Sequence, residues 1–327
     1  MVSEISQAGG LPAQARASAK GAAREAPPLG RLYEVDGRRL ALHRAGAGGP
    51  AVVFLPGAGL TGLDFLNLQE AVSKVTTAVI YDRGGTGWSD AVKLPRTAAE
   101  AATELRALLA VAGVAPPYVL VGHSLGGAYA RRYAQLFPGE VAGVVMLDPA
   151  HEGYRAGPSP SLLGQLRMAL AMLWTLPRLK AVYRRMFSEL LAAWPQPLRG
   201  RMVNYHLANL TKTVQETGNL NPGVLNEIAD GGPMPDTPLI VLTAMGLDPF
   251  MTLFMDEPFL RRVNAAKAGY YDALAYTSPR GENRRIEGVG HSTLHTDRPD
   301  LVVAAIQDVL DAVRVAASDP NSQTAGR

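Results

Sequence analysis

The sequence contains no cysteine among its 327 residues. Disulfide bonds, thiolate metal sites and a cysteine nucleophile are therefore excluded. Charge of one sign is not in excess either, because 32 Lys and Arg stand against 29 Asp and Glu, a formal net charge of +3. This balance, without a basic stripe that aromatic residues interrupt, argues against a nucleic-acid partner.

Long apolar runs are also missing. No stretch of about 18 consecutive apolar residues occurs, so the sequence predicts no membrane-spanning helix. Residues 1–30 are rich in Ala, Gly and Ser and lack the apolar core of a secretory signal. We therefore expect a disordered leader at 1–30, a flexible tail at 317–327 and a cytoplasmic protein.

Signatures of cofactor binding are absent from the sequence. No G-x-G-x-x-G follows the first strand pattern, and no phosphate-binding G-x-x-x-x-G-K occurs. Three metal-ligand side chains at short spacing are not found either. The sequence thus predicts neither a cofactor nor a metal ion.

Apolar, β-branched runs alternate with helical patterns along most of the chain. Because buried strands that alternate with helices form mostly parallel sheets, we expect an α/β fold with helices on both faces. Ligands then bind at the carboxyl ends of the strands. The predicted strands are 31–35, 38–45, 51–55, 77–81, the run from 119 to the serine at 124, 141–147, 239–243 and 284–287.

Residues 152–236 interrupt this alternation with helical patterns and several prolines. We expect a helical cap there, inserted into one core domain formed by 31–151 and 237–316. Large apolar side chains of the cap and of the segment after 249 would either line an apolar substrate pocket or pack the cap on the core. They include Leu166, Met168, Trp174, Tyr183, Phe187, Phe250 and Met251.

A serine between glycines follows one of the apolar runs, in Gly122-His123-Ser124-Leu125-Gly126. A helical pattern from Ala128 to Phe137 comes directly after it. The order strand, sharp turn, helix exposes the serine hydroxyl at the end of a strand and at the positive end of a helix dipole. Small residues two positions on either side let strand and helix approach closely.

These features resemble the α/β-hydrolase superfamily over nearly all of the chain after residue 31. The resemblance implies an eight-stranded, mostly parallel sheet with an inserted helical cap, and a serine hydrolase that needs no cofactor. Its landmarks occur in order: Leu55-Pro56-Gly57-Ala58-Gly59, the stretch from Tyr81 to Ser89, the Gly122 to Gly126 turn, Gly246 to Asp248, and Gly290-His291 with Pro299 downstream.

The resemblance implies Ser124 as nucleophile and His291 as its base. Asp248 is the predicted acid that holds His291, because the turn after the seventh strand is the family's usual place for the acid and the chain order Ser, Asp, His is the one this fold uses. Asp148, after the sixth strand, is the alternative acid. His295 is a competing base, although it lacks the preceding glycine.

The backbone N–H groups of Leu125 and Ala58 are the predicted oxyanion hole. Pro56 stands before Gly57 where relatives commonly have His-Gly, which leaves backbone donors intact. Asp82 and Arg83 are interpreted as loop anchors rather than catalytic groups. The remaining histidines, His43, His123, His151 and His206, are interpreted as structural, with His151 close enough to the site to touch a substrate.

The function predicted from these residues is hydrolysis of a carboxylic ester of a small or medium apolar substrate through an acyl-enzyme. The same machinery serves thioesters, lactones and carbon–carbon bonds, which stay open as alternatives. A second class is a ligand-binding protein of the same fold with little turnover. The expected partner is a small-molecule substrate.

Overall fold

The computed structural model describes residues 26–155 and 180–318. Most of the predicted leader, nearly all of the predicted tail and residues 156–179 of the predicted cap lie outside these ranges. The apolar cap residues Leu166, Met168 and Trp174 are therefore not placed. Residues 152–236 are called the cap region below.

One eight-stranded sheet forms the centre of the protein and confirms the predicted fold class. The strand order is β1-β2-β4-β3-β5-β6-β7-β8, and pairing is parallel from β4 through β3 to β8. β2 runs antiparallel to β1 and to β4. The strands are β1 Arg31–Val35, β2 Arg38–Ala45, β3 Ala51–Leu55, β4 Ala78–Tyr81, β5 Tyr118–His123, β6 Val141–Leu147, β7 Leu239–Ala244 and β8 Gly281–Ile286.

Strand β8 begins three residues before its predicted start at Arg284. It lies at the edge of the sheet and pairs with β7 alone. An edge strand carries charged side chains on its exposed side, so its polar first half has no apolar signal. β8 pairs with β7 in the register Leu239 with Gly281 and Leu242 with Arg284, and Ile286 is its one buried residue.

Helices cover both faces of the sheet. In the first turn of the second helix, Thr97 and Glu100 form the predicted capping box, with side-chain to backbone distances of 3.1 and 2.8 Å. The helices are α1 Leu66–Val72, α2 Ala98–Val111, α3 Leu125–Leu136, α4 180–190, α5 Gln196–Ala208, α6 Lys212–Glu216, α7 Leu225–Asp230, α8 Glu257–Ala275, α9 Leu294–Asp297 and α10 Pro299–Ser318.

Alternate residues of the central strands enter two separate apolar layers. In β3, Val53 and Leu55 face the layer of α2, α3 and α7, whereas Val52 and Phe54 face the layer of α1 and α10. Part of the cap region joins the second layer, and the Trp194 indole N–H donates to a core carbonyl there. None of the helices in the described ranges combines the length and apolar character needed to cross a membrane.

Candidate active site

Ser124 occupies the sharp turn between β5 and α3. Its backbone has φ 52° and ψ −120°, a conformation that non-glycine residues rarely adopt. The turn needs small neighbours: a Cβ added at Gly126 would lie 2.0 Å from the Leu55 carbonyl oxygen, and one at Gly122 would lie 2.6 Å from that of Gly126. Helix α3 begins at Leu125, directly after this turn and three residues before its predicted start.

His291 connects the serine to a carboxylate. Its Nε2 lies 3.0 Å from Ser124 Oγ, and its Nδ1 lies 2.6 Å from Asp148 Oδ2. An ionised carboxylate only accepts hydrogen bonds, so Nδ1 carries the proton and Nε2 presents its lone pair to the serine hydroxyl. The three side chains thus form one hydrogen-bonded series from β6 to β5.

Asp148 directly follows β6 and is 1% exposed. Its Oδ1 accepts the Ala244 N–H at 2.9 Å, and its Oδ2 accepts the Lys267 ammonium at 2.9 Å as well as His291. Burial alone would raise the pKa of this carboxyl, but the Lys267 charge and the hydrogen bond from His291 outweigh burial and lower the pKa to about 2. Asp148 is therefore an anion at every ordinary pH.

Asp248, the predicted acid, does not hydrogen-bond to His291. Its carboxylate instead accepts the backbone N–H groups of Phe250, Met251 and Ser292. The two loops meet so closely that a Cβ added at Gly290 would lie 2.7 Å from Asp248 Cα. The carboxylate is consequently directed at the backbone next to His291, and the alternative acid Asp148 takes the position that was expected of Asp248.

The two predicted oxyanion donors lie just beyond the carboxyl ends of β3 and β5. Leu125 is the first residue of α3, where N–H groups have no partner within the helix. The Ala58 N–H makes no hydrogen bond to any residue of the described ranges. Both donors are therefore available to a ligand.

Asp82 and Arg83 are buried and hold loops, in agreement with their interpretation as anchors. Asp82 accepts the N–H groups of Gly62 and Trp88 at 2.8 Å each, and burial raises its pKa to about 6. Arg83 forms an ion pair with Glu216 of α6, with 2.9 Å between Nη2 and Oε1. Neither residue contacts Ser124 through a hydrogen bond within the described part of the chain.

His295, the competing base, is fully buried and stacks on Phe65 with ring centroids 4.7 Å apart. Burial lowers its pKa to about 4, so the ring is neutral at pH 7. The Nε2 of His123 lies 2.9 Å from the His291 carbonyl oxygen. Burial holds the pKa of His123 well below its usual range.

Each of the other three histidines has a hydrogen-bond partner in the protein. His206 lies 2.9 Å from the Asp64 carboxylate, and His43 lies 2.9 Å from the Gln69 side chain. His151 accepts the Gly153 N–H, and its pKa is lowered to about 4, chiefly by burial. Across residues 26–155 and 180–318, no group of three or more His, Asp or Glu side chains is arranged to hold a metal ion.

A sequence model of the alpha/beta hydrolase family matches residues 52–305, which is most of the chain. The chain belongs to the alpha/beta hydrolase family. This membership agrees with the sheet order, with the turn at Ser124 and with the resemblance that the sequence motifs indicate.

Individual relatives of this alpha/beta hydrolase match over shorter stretches. Uncharacterized protein YbdG of Bacillus subtilis is 29% identical over 121 residues, which are 36% of this chain and 37% of that protein. Putative carbamate hydrolase RutD of Cronobacter sakazakii is 37% identical over 103 residues, 31% of this chain and 38% of that protein. The matches span less than half the length of these relatives.

Solved structures resemble this alpha/beta hydrolase over almost their full length. An esterase from Exiguobacterium antarcticum has a TM-score of 0.63 at 16% identity, with 86% of this chain and 100% of that chain covered. Est816, described as an N-acyl homoserine lactone degrading enzyme, has a TM-score of 0.56 at 17% identity, with 85% and 99% covered. At such identities the likeness establishes the fold alone.

Sequence reasoning missed two buried charged residues that contact the candidate site of this alpha/beta hydrolase, Lys267 and Glu216. Lys267 lies on the buried face of α8, and its side chain is 4% exposed. The signal was its spacing of seven residues from Leu260 and four from Tyr271, which are both buried on that face. Glu216 gave no such signal because α6 has only five residues.

Proposed function

We propose that this alpha/beta hydrolase cleaves carboxylic esters of small or medium apolar substrates through an acyl-enzyme on Ser124. The observation that carries the proposal is the hydrogen-bonded series Asp148, His291, Ser124, with distances of 2.6 and 3.0 Å. A nucleophile, a base within reach of it and a group that orients the base are the requirements of this chemistry.

In the first half-reaction, Ser124 Oγ attacks the ester carbonyl carbon while His291 Nε2 accepts the hydroxyl proton. Asp148 keeps the imidazole in the required tautomer and stabilises the imidazolium that forms. The oxyanion accepts the N–H groups of Leu125 and Ala58, each of which is worth roughly 3 kcal/mol in acyl transfer. Collapse of the tetrahedral intermediate expels the alcohol, which takes its proton from His291 Nε2.

In the second half-reaction, water replaces the alcohol. His291 accepts a proton from the water as its oxygen attacks the acyl carbon, and then returns the proton to Ser124 Oγ when the acid leaves. The same two N–H groups stabilise the second oxyanion.

The apolar character of the substrate is supported by aromatic rings between the cap region and the loop after β7. Phe250 lies two residues after Asp248, and its ring centroid is 5.7 Å from that of Tyr183 and 5.4 Å from that of Phe187. Tyr183 and Phe250 are half-buried. An apolar acyl or alkyl group would be sheltered by such rings.

Lactones and carbamates are the alternative substrates that the comparisons favour. Est816 is described as degrading an acyl homoserine lactone, and RutD is named a putative carbamate hydrolase. Both bonds have a carbonyl that a serine can attack, so the same residues would serve. The triad alone therefore does not select among these substrate classes.

Labelling with a fluorophosphonate tests the proposal, because this reagent phosphonylates only activated serines. We expect one adduct, on Ser124, in the wild type and none in Ser124→Ala. Folded wild-type protein without an adduct would favour the ligand-binding alternative. A series of p-nitrophenyl esters of increasing chain length, with lactone, carbamate and thioester comparators, then identifies the bond and the acyl size.

A further inference from the structure

The loop Pro56–Gly59, called the oxyanion loop, presents the Ala58 N–H without help from regular secondary structure. Its conformation depends on what binds the two peptide units on either side of Ala58. A trans peptide unit is planar, so its C=O and N–H point in opposite directions. Fixing one of these groups therefore fixes the direction of the other.

Arg83 holds the peptide unit that contains the Ala58 N–H. The carbonyl of this unit belongs to Gly57 and accepts a hydrogen bond from Arg83 Nη2 at 2.9 Å. Arg83 Nη1 also donates to the Pro56 carbonyl. The Ala58 N–H is consequently directed away from the guanidinium and stays free for a ligand.

The cap region holds the next peptide unit. The Gly59 N–H donates to Glu216 Oε2 at 2.7 Å, and the Ala58 carbonyl accepts from Thr213 Oγ1 at 3.4 Å. Thr213 and Glu216 both belong to α6. The approach is close, because a Cβ added at Gly59, which has φ +75°, would lie 2.2 Å from Thr213 Oγ1.

One buried ion pair joins these two sets of contacts. Arg83 donates to Glu216 through Nε at 3.0 Å and through Nη2 at 2.9 Å, and the side chains are 2% and 3% exposed. Moving two charges out of water is costly, so a buried ion pair contributes little to stability. However, Arg83 and Glu216 restrain each other's position, and therefore also restrain the backbone groups of the oxyanion loop that they bind.

We propose that Glu216 is a positioning residue of the oxyanion hole, which acts with Arg83 to fix both peptide units beside Ala58. The proposal rests on the serine-hydrolase function given above. Helix α6 of the cap region then completes the site, and catalysis requires α6 to be docked on the oxyanion loop. A displacement of α6 would release the Gly59 N–H and the guanidinium together.

A matched control binds Gly84, the residue after Arg83, and not the oxyanion loop. Glu104 of α2 also pairs with a buried arginine, Arg96, at 2.6 Å, and also accepts a glycine N–H, that of Gly84, at 3.0 Å. Its side chain is 2% exposed, but it holds no part of the oxyanion loop. Glu216→Gln and Glu104→Gln therefore remove the same kind of buried charge from different loops.

The experiment compares both variants with the wild type in ester hydrolysis and in binding of phenylboronic acid. The boronic acid forms a tetrahedral adduct with an active serine, and one of its oxygens occupies the oxyanion position. For Glu216→Gln we expect kcat to fall about 10- to 100-fold, part of the effect of losing one oxyanion donor, with KM within about threefold. Boronate affinity should fall by the same factor, whereas Glu104→Gln should keep both values within about threefold.

Equal kcat and equal boronate affinity in the two variants would overturn the proposal. Should Glu216→Gln fail to fold, the double variant Arg83→Met with Glu216→Met removes both buried charges and leaves neither uncompensated. A double variant with wild-type kcat and boronate affinity would also overturn the proposal. Absence of a fluorophosphonate adduct in the wild type would refute the proposed function itself, which is a different result.

Discussion

Replacing each of the two candidate acids by asparagine tests which one supports His291. Asparagine keeps the size of aspartate and removes its charge. In Asp148→Asn the side-chain NH₂ can donate to the imidazole Nδ1, which places the ring proton on Nε2 and removes the lone pair that faces Ser124. We expect kcat to fall about 10⁴-fold, the size of the tautomer effect known for serine hydrolases with such a triad.

Asp148→Asn has a second effect, on stability. Lys267 would lose its carboxylate partner while it stays buried, and an uncompensated buried charge costs about 3–5 kcal/mol of unfolding free energy. A low rate could then reflect unfolded protein. The double variant Asp148→Asn with Lys267→Met removes the ammonium too, so we expect it to recover most of the lost stability but none of the lost kcat.

Asp248→Asn should behave differently. Its carboxylate accepts three backbone N–H groups and no proton of His291, so the loss is that of charge-assisted hydrogen bonds in a buried loop. We expect about 1–3 kcal/mol of destabilisation and a kcat within about tenfold of the wild type.

The assay is p-nitrophenyl ester hydrolysis under saturating substrate, together with urea denaturation of each variant. The decisive comparison is kcat per folded molecule for the Asp148 double variant and for Asp248→Asn. If the kcat of Asp248→Asn falls about 10⁴-fold while the Asp148 double variant keeps most of its kcat, then the hydrogen bond from His291 to Asp148 does not orient His291 for catalysis.

Three further changes test the surroundings of the site. Because the pKa of Asp148 is lowered to about 2, its ionised form stabilises the fold above about pH 4, and this stabilisation is lost between about pH 4 and 2. In Lys267→Met, urea denaturation should show a shallower loss of unfolding free energy over that range. Gly126→Ala should lower stability by about 1–3 kcal/mol or more, since the added Cβ would meet the Leu55 carbonyl, and thermal unfolding measures this. His295→Phe should keep kcat within about threefold and should not reduce the melting temperature, because neither ring nitrogen of His295 has a hydrogen-bond partner among the described residues; a large loss of kcat would restore His295 as a candidate base.

Much of the sheet could be predicted because its strands are short apolar runs. The bounds of β1, β2, β3 and β6 agree with the predicted strands, since burial on both faces or a hairpin signal marks them in the sequence. The polar first half of β8 carried no such signal. Backbone pairing with β7 fixes it, and pairing cannot be read from one strand alone.

The proposed nucleophile and base could be inferred from the sequence for a related reason. Glycines that the local backbone requires stand two positions on either side of Ser124 and directly before His291, so the sequence marks both loops. No local sequence pattern distinguishes Asp148 from Asp248 as the acid, because both follow buried strands that are neighbours in the sheet. It depends on how closely the loops after β7 and β8 approach each other, which is a tertiary distance.

Three buried charged side chains from outside the hydrogen-bonded series Asp148, His291, Ser124 hold the loops on which the proposed reaction depends. Asp248 binds the backbone beside His291, Lys267 binds Asp148, and Glu216 binds the oxyanion loop through Gly59 and Arg83. Each loop lacks regular structure and cannot be fixed by a ladder of backbone hydrogen bonds. Charged side chains that are almost fully buried have few alternative partners, so their hydrogen bonds hold these loops in one position. The proposed catalysis by Ser124 therefore depends on residues outside the hydrogen-bonded series itself.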